Sequence, residues 1–176
     1  MNLNLRKGFS LVELLVVIGI LGVLSTLALL AMGRAREAAK EAAARDDLAN
    51  LRTAILLLEN DTEKWPNGCP PWSTRNPEVE LTTQQAALTQ APIVGDQGDG
   101  CQWTSQAVAK WQGPYVTGVE NDPWGNPYYF DPDFVAYNGC PSKPTETTTA
   151  AVLSFGPNGT GLNQYDCDDV FLKLQN

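Results

Sequence analysis

Residues 7–33 read KGFSLVELLVVIGILGVLSTLALLAMG, and this stretch decides the fold of the 176-residue chain. Residues 14–33 carry no charged side chain and lie between Glu13 and Arg34. Twenty residues at about 1.5 Å each span about 30 Å, which is the thickness of the hydrocarbon core of a bilayer. The stretch therefore predicts a helix over residues 9–33 that crosses a membrane. Arg6 and Lys7 precede the apolar run, which predicts a cytoplasmic N-terminus and an exported C-terminal part.

A cleaved secretory signal peptide is the alternative interpretation of this segment. The apolar run is longer than the roughly 7–15 residues of a signal-peptide core, and no A-x-A cleavage site follows it. The helical pattern also continues past Gly33. These features favour a membrane span that stays in the protein.

The second helical segment, residues 34–64, is amphipathic. Its residues 34–58, RAREAAKEAAARDDLANLRTAILLL, are rich in strong helix formers, and the first proline of the chain is Pro66. Apolar side chains recur there at helical spacing, at Leu48, Leu51, Ile55 and Leu58. The pattern predicts one helix from residue 9 to about residue 58, whose second half lays an apolar stripe on the rest of the protein.

The C-terminal part, residues 65–176, has a different composition and predicts a globular head. It contains all four Cys, all 12 Pro, and 12 acidic against 4 basic residues, whereas residues 1–64 have 8 of each sign. The net charge of −8 argues against nucleic-acid binding. The absence of His from the chain excludes Ser-His and Cys-His nucleophile pairs, and no phosphate-binding loop is present. The composition therefore favours a protein that is not an enzyme, although a glycosidase-like carboxylate pair in the head stays open.

Residues 7–13, Lys-Gly-Phe-Ser-Leu-Val-Glu, with the apolar run that follows, resemble the class III signal of type IV pilins and type II secretion pseudopilins. The resemblance implies that residues 1–8 are a leader, that a prepilin peptidase cuts after Gly8, and that the new N-terminal Phe9 is methylated. Loss of the leader takes the net charge from −8 to −10. The resemblance also implies that Glu13 pairs with the N-terminal amine of an adjacent subunit during filament assembly. A carboxylate inside the membrane needs such a partner, and a position of Glu13 in the headgroup region is the alternative.

The head is expected to form a small antiparallel sheet. Residues 128–130, 150–155 and 170–172 are strand-prone and are separated by turn-rich segments. Residues 82–91 predict a short helix with Thr82 or Thr83 at its N-cap, and residues 93–106 predict a loop. Together with the long helix, this predicts an α+β fold of the type IV pilin-like kind, in which the amphipathic half of the helix packs on the sheet.

Three further segments resemble the major pseudopilin of type II secretion. They are Trp-Gln-Gly-Pro-Tyr at 111–115, Asp-Pro-Trp-Gly-Asn-Pro-Tyr at 122–128, and the C-terminal loop 154–170, which begins Ser-Phe-Gly-Pro-Asn-Gly-Thr-Gly. Residues 67–109 look like an insertion. The loop of that family binds calcium, which prefers oxygen ligands. The candidate ligands here are Ser154, Asn158, Asp166, Asp168 and Asp169. Asn158 stands where the family has Asp, and an acidic solvated turn is the alternative.

The four cysteines are expected to form disulfides, because an exported head faces an oxidising space. A metal site built from Cys is disfavoured, since the chain has no C-x2-C pair. Four cysteines allow three pairings. Cys69–Cys101, which would close the insertion, and Cys140–Cys167, which would tie down the acidic loop, are the favoured pairs.

The resemblance implies a structural subunit of a type II secretion pseudopilus, held in the bacterial inner membrane with its head in the periplasm and then assembled into a filament. The implied partners are copies of the same chain joined through their N-terminal helices, the prepilin peptidase, an inner-membrane assembly platform and minor pseudopilins. A type IV pilin for adhesion, motility or DNA uptake is the alternative. A sugar-binding module is a further one, and it would use exposed tryptophans among Trp72, Trp103, Trp111 and Trp124.

Overall fold

The computed structural model describes residues 10–71, 73, 77–98 and 100–174. One long helix, α1 (Leu11–Thr62), is followed by short strands and helical turns. These are β1 (Val79–Glu80), a 3-10 turn (Gln84–Ala86), β2 (Gly95–Gly98), β3 (Cys101–Trp103), α2 (Ser105–Lys110), β4 (Tyr129–Phe134), β5 (Thr149–Ser154) and β6 (Val170–Lys173). The chain divides into two compact units after Ala39.

The ends of α1 are set by side chains that satisfy its free main-chain groups. At the N-terminus, the Ser10 hydroxyl accepts the N–H of Val12 at 3.3 Å, and the Glu13 carboxylate accepts the N–H of Ser10 at 2.8 Å. At the C-terminus, the Thr62 hydroxyl donates to the Leu58 carbonyl at 2.7 Å and accepts the N–H of Lys64. Glu63 then takes a left-handed conformation, with φ of 57°. The helix thus ends at Thr62, four residues past the end that the apolar spacing indicates and within the predicted helical segment 34–64, because this cap lies beyond the last apolar residue.

The first unit contains the apolar half of α1. The large hydrophobic side chains described between Leu11 and Met32 are between 45% and 84% exposed in the single chain. The hydroxyls of Ser25 and Thr26 donate to the carbonyls of Leu21 and Gly22 at 2.7 and 2.9 Å, so neither hydroxyl needs water. Within the described residues, one helix has a stretch long and apolar enough to cross a membrane. The segment therefore exposes an apolar surface that an aqueous environment cannot stabilise.

The second unit contains the predicted sheet and the amphipathic half of α1. The sheet is antiparallel with strand order β1-β4-β5-β6, and Phe130 pairs with Val152, which pairs with Leu172. The buried face of α1 packs on this sheet, and the shared core includes Leu48, Ile55, Leu58, Phe130 and Val152. The predicted α+β architecture is confirmed. The two-residue strand β1, which pairs with β4, was not predicted.

The insertion departs from the predicted local structure. Most of the segment 93–106, predicted to be a loop, forms a β2–β3 hairpin. The helix α2 begins near the end of that segment, at Ser105. The helix predicted over residues 82–91 is only the turn Gln84–Ala86, which ends at Ala87 with φ of 61°. Trp103 is fully buried in the core and its ring N–H donates to the Gln85 carbonyl at 2.9 Å. These contacts with distant residues organise the segment, whose local pattern alone carries no strand signal.

The four cysteines pair as Cys69–Cys101 and Cys140–Cys167. The first disulfide joins the segment after α1 to strand β3. The second joins the loop after β4 to the loop that precedes β6. Each disulfide therefore ties a turn-rich segment to a second part of the head.

Candidate functional site

The N-terminal candidates lie at the start of α1. Gly8 and Phe9, predicted as the processing site, lie outside the described residues. Glu13 is exposed, and its carboxylate accepts the N–H of Ser10 at 2.8 Å. That carboxylate therefore lies beside the first turn of the helix, one residue before the uncharged run. Glu13 is placed at the entry of the apolar segment, where an ionised group requires a cationic partner once water is excluded.

The second candidate site is the connection between β5 and β6, here called the acidic loop and defined as residues 155–169. The two strands are adjacent and antiparallel, so the loop leaves and re-enters the same edge of the sheet. Gly156 has φ of 61° and lies directly against the backbone of Asp168, where no side chain fits. The two ends of the loop are therefore in contact.

Asn158, Asp166 and Asp168 converge within this loop. The Asn158 amide nitrogen donates to Asp166 Oδ2 and to Asp168 Oδ1, both at 2.7 Å. The main-chain N–H of Asn158 donates to Asp168 Oδ2 at 3.2 Å, and that of Asp168 donates to Asp166 Oδ1 at 3.1 Å. The structure thus brings together three of the five predicted ligands, separated by up to ten residues in sequence.

The two carboxylates that converge on Asn158 have pKa values shifted in opposite directions. Burial, and then the hydrogen bond with Asp166, raise the pKa of Asp168. The hydrogen bonds from Asp168 and Asn158 hold the pKa of Asp166 below its ordinary value. Two carboxylates that accept from one amide nitrogen lie close together, and such a pair shares a proton or requires a positive charge between them.

Asp169 is the most deeply placed carboxylate of the loop. Its Oδ2 accepts the N–H of Asp166 at 2.9 Å, whereas its Oδ1 is buried without a hydrogen-bond partner among the described residues. Burial raises the pKa of Asp169 to about 7, and the charges of Asp166 and Asp168 add to the shift. A buried carboxylate oxygen without a donor is costly, and a cation is one way to satisfy it.

Ser154, the fifth predicted ligand, does not join this group through its hydroxyl. The hydroxyl donates to Asp122 Oδ2 at 2.5 Å and accepts the N–H of Gly156 at 3.0 Å. Ser154 is fully buried at the end of β5. Its side chain therefore belongs to a contact between the loop and the turn at residues 122–127.

The donor chemistry of the loop fits a hard cation, with one departure. Calcium prefers carboxylate, amide and main-chain oxygens, which are what this loop offers. Among the described residues, no three Asp, Glu, Cys or His side chains form a metal-holding group by themselves. The residue beside Asp166 and Asp168 is Asn158, which turns its nitrogen toward them while its Oδ1 accepts the N–H of Thr160 at 2.6 Å. Cation binding would require the amide to exchange its two ends.

Two anchors of the acidic loop were not predicted from the sequence. The Tyr165 hydroxyl donates to buried Asp131 Oδ2 at 2.5 Å, and the main-chain N–H of Asn163 donates to Glu78 Oε1 at 2.9 Å. Burial raises the pKa of Asp131 to about 7. No local pattern in the sequence connects Glu78 or Asp131 with residues more than 30 positions away.

The tryptophans proposed as sugar-binding residues are largely interior. Trp103 is fully buried, so that interpretation is wrong for this residue. Trp111 and Trp124 are partly buried against the core, and the Trp111 ring N–H donates to the Ala87 carbonyl at 2.8 Å. Trp72 lies outside the described residues. The described tryptophans therefore support the fold.

Comparison with known proteins identifies the N-terminal segment. Residues 3–29 match the family described as the prokaryotic N-terminal methylation motif. No curated protein and no solved structure matches the chain. The motif, the long helix and the antiparallel sheet together support the type IV pilin-like superfamily, whose members are structural proteins. The motif indicates processing by a prepilin peptidase and pilin-type polymerisation.

Proposed function

We propose that this chain is a structural subunit of a type II secretion pseudopilus, and that its head is stabilised by calcium bound in the acidic loop. The observation that carries the proposal is the convergence of Asn158, Asp166 and Asp168 in the same loop that contains the buried, unpartnered oxygen of Asp169. A loop built this way gains stability from an oxygen-ligated cation, which would be held by these four side chains.

The apolar half of α1 supports the assembly step. Exposed aliphatic side chains over Leu11–Met32 are stable in a bilayer before assembly and against the same segment of other copies afterwards. Glu13 then meets the amine that cleavage after Gly8 would create on Phe9 of a neighbouring copy. In this proposal the pairing of those two charges sets the position of each new subunit.

The proposed location follows from the same segment. The protein sits in the bacterial inner membrane with its N-terminus in the cytoplasm and its head in the periplasm, and it then enters the filament. Its proposed partners are copies of the same chain, the prepilin peptidase, the inner-membrane assembly platform and minor pseudopilins. No residue is assigned a catalytic role.

The function can be tested by deleting the gene from its host and restoring either the wild-type chain or the Glu13→Ala variant. The proposal expects folded exported enzymes to accumulate in the periplasm of the deletion strain while surface pili persist. The wild-type chain restores export and the variant does not. Normal export combined with loss of surface pili would overturn the proposal.

The alternative, a type IV pilin, is favoured by one specific observation. The Cys140–Cys167 disulfide closes the C-terminal region, and pilins more often stabilise that region with a disulfide than with a metal. Thermal unfolding of the full-length protein in detergent, first in EDTA and then with added calcium, separates the two. A ligand that binds only the folded state raises the midpoint by mass action. No rise with calcium would favour the pilin.

A further inference from the structure

The turn at residues 122–127 is built around a buried carboxylate. Asp122 is 4% exposed, and its Oδ1 accepts the main-chain N–H groups of Trp124 at 3.0 Å and Asn126 at 2.8 Å. The main-chain N–H of Asp122 donates to the Asn126 carbonyl at 2.7 Å. The remaining carboxylate oxygen, Oδ2, accepts the Ser154 hydroxyl, which itself accepts the N–H of Gly156. A carboxylate with this many donors holds the turn in one conformation and ties it to the end of β5.

Asn126 makes a second connection from the same turn to the acidic loop. Its Nδ2 donates to the carbonyl oxygen of Gly156 at 2.8 Å. Its Oδ1 lies against Gly159, where an added Cβ would come within 2.9 Å. Gly159 has φ of 64°, a conformation that favours glycine. One side chain therefore contacts the loop on both sides of Asn158.

We propose that Asn126 and Asp122 are positioning residues for the acidic loop. They hold Gly156 and Gly159 in place, so that Asn158 faces Asp166 and Asp168 before any cation binds. This positioning role extends the proposed calcium function. Of the two experiments that test it, only the measurement of calcium affinity depends on that function. Partners behind the ligands of a metal site typically change its affinity by about 10–100-fold when they are removed.

The first experiment measures amide hydrogen exchange of the full-length protein in detergent micelles with EDTA. Asn126→Ala is expected to accelerate exchange at the amides of Asn158 and Thr160 by about tenfold or more, because both amides donate within the loop. The matched control is Asn121→Ala, since Asn121 donates to the Gly125 carbonyl at 2.9 Å in the same turn. Neither variant should change exchange at Val152, which pairs with Leu172 in the sheet.

The second experiment measures the calcium dissociation constant of the same variants from the calcium-dependent rise of the unfolding midpoint. Asn126→Ala should weaken calcium binding by about tenfold or more, and Asn121→Ala should leave it unchanged. Asn126→Asp keeps the size of the side chain but removes the donor to Gly156, so it should reproduce the accelerated exchange if Asn126→Ala fails to fold.

The outcomes separate this proposal from the calcium function. Wild-type exchange rates in Asn126→Ala, or equal acceleration in Asn121→Ala, would overturn the positioning role. A wild-type protein that does not respond to calcium would refute the calcium function. In that case, accelerated loop exchange confined to the Asn126 variants would still support the positioning role.

Discussion

Replacing Asp131 by Asn is expected to weaken the dependence of stability on pH. Asp131 is 1% exposed in strand β4, next to the bulge that contains Pro132. Its carboxylate accepts the main-chain N–H of Asp133 at 2.9 Å and the Tyr165 hydroxyl. Burial raises the pKa of Asp131 to about 7 from an ordinary 3.8, and the charge of Glu78 adds to this shift. The folded protein therefore holds a proton there that the unfolded chain releases.

The magnitude follows from this difference in pKa. A shift of one pKa unit corresponds to about 1.4 kcal/mol, so a shift of about three units corresponds to about 4 kcal/mol. Because the pKa of Asp131 is raised in the folded protein, the proton on Asp131 stabilises the fold. This contribution to the free energy of unfolding is complete below about pH 4 and is lost as the pH rises through 7. Between pH 5 and 6, the free energy of unfolding should fall by roughly 1 kcal/mol per pH unit from Asp131 alone.

The amide that Asp131→Asn introduces keeps an oxygen for the N–H of Asp133 and cannot ionise. The free energy of unfolding of this variant should therefore lose the part of the slope that Asp131 contributes. A slope of similar size remains from Asp169, whose pKa burial also raises to about 7, and burial raises the pKa values of Asp168 and Glu78 as well.

The assay is urea unfolding of the full-length protein in detergent with EDTA, followed by tryptophan fluorescence from pH 4.5 to 8. EDTA is required because a bound cation would keep Asp169 ionised. The control is Glu120→Gln, which replaces an exposed carboxylate and should leave the slope as in the wild type. A wild-type protein whose stability does not fall between pH 5 and 7, or an unchanged slope in Asp131→Asn, would refute the reasoning.

Three other substitutions test separate parts of the protein. Glu13→Ala should abolish filaments seen by electron microscopy while leader removal and membrane insertion continue; filaments from this variant would contradict the pairing of Glu13 with an N-terminal amine. Asp169→Asn should eliminate the calcium-dependent rise in the unfolding midpoint, because it removes a buried charge that the cation would satisfy; a rise equal to that of the wild type would exclude Asp169 as a ligand. Leu48→Ala, at a fully buried position, should lower the free energy of unfolding by about 2–5 kcal/mol. Leu57→Ala, at a half-exposed position on the same helix, should change it by less than about 0.5 kcal/mol.

Much of the architecture could be predicted because its signals are local. The uncharged run at residues 14–33 and the recurrence of Leu48, Leu51, Ile55 and Leu58 depend only on neighbouring residues in one helix. The strands β4, β5 and β6 were predicted for the same reason, since aromatic and β-branched residues cluster in each. The helix end was predicted less well, because Thr62 and Glu63 form a cap that hydrophobic spacing does not reveal.

The candidate site was predicted only in part. Asn158, Asp166 and Asp168 were selected by residue type and family pattern, and the structure brings them together. The sequence did not indicate that the Ser154 hydroxyl is used by Asp122, because the two residues are 32 positions apart. The orientation of Asn158 likewise depends on Thr160 and on both carboxylates at once.

The sequence by itself determined the long helix, the acidic composition of the head, the three main strands and the methylation motif, because each is a property of contiguous residues. Only the tertiary structure decided how the acidic loop is anchored, through Asp131 and Tyr165, through Asn126 and Gly156, and through the Cys140–Cys167 disulfide. Strands β4, β5 and β6 bring these residues together across long separations in the chain. Local propensity does not encode such contacts, since they form only when packing of the sheet on α1 has closed the intervening loops.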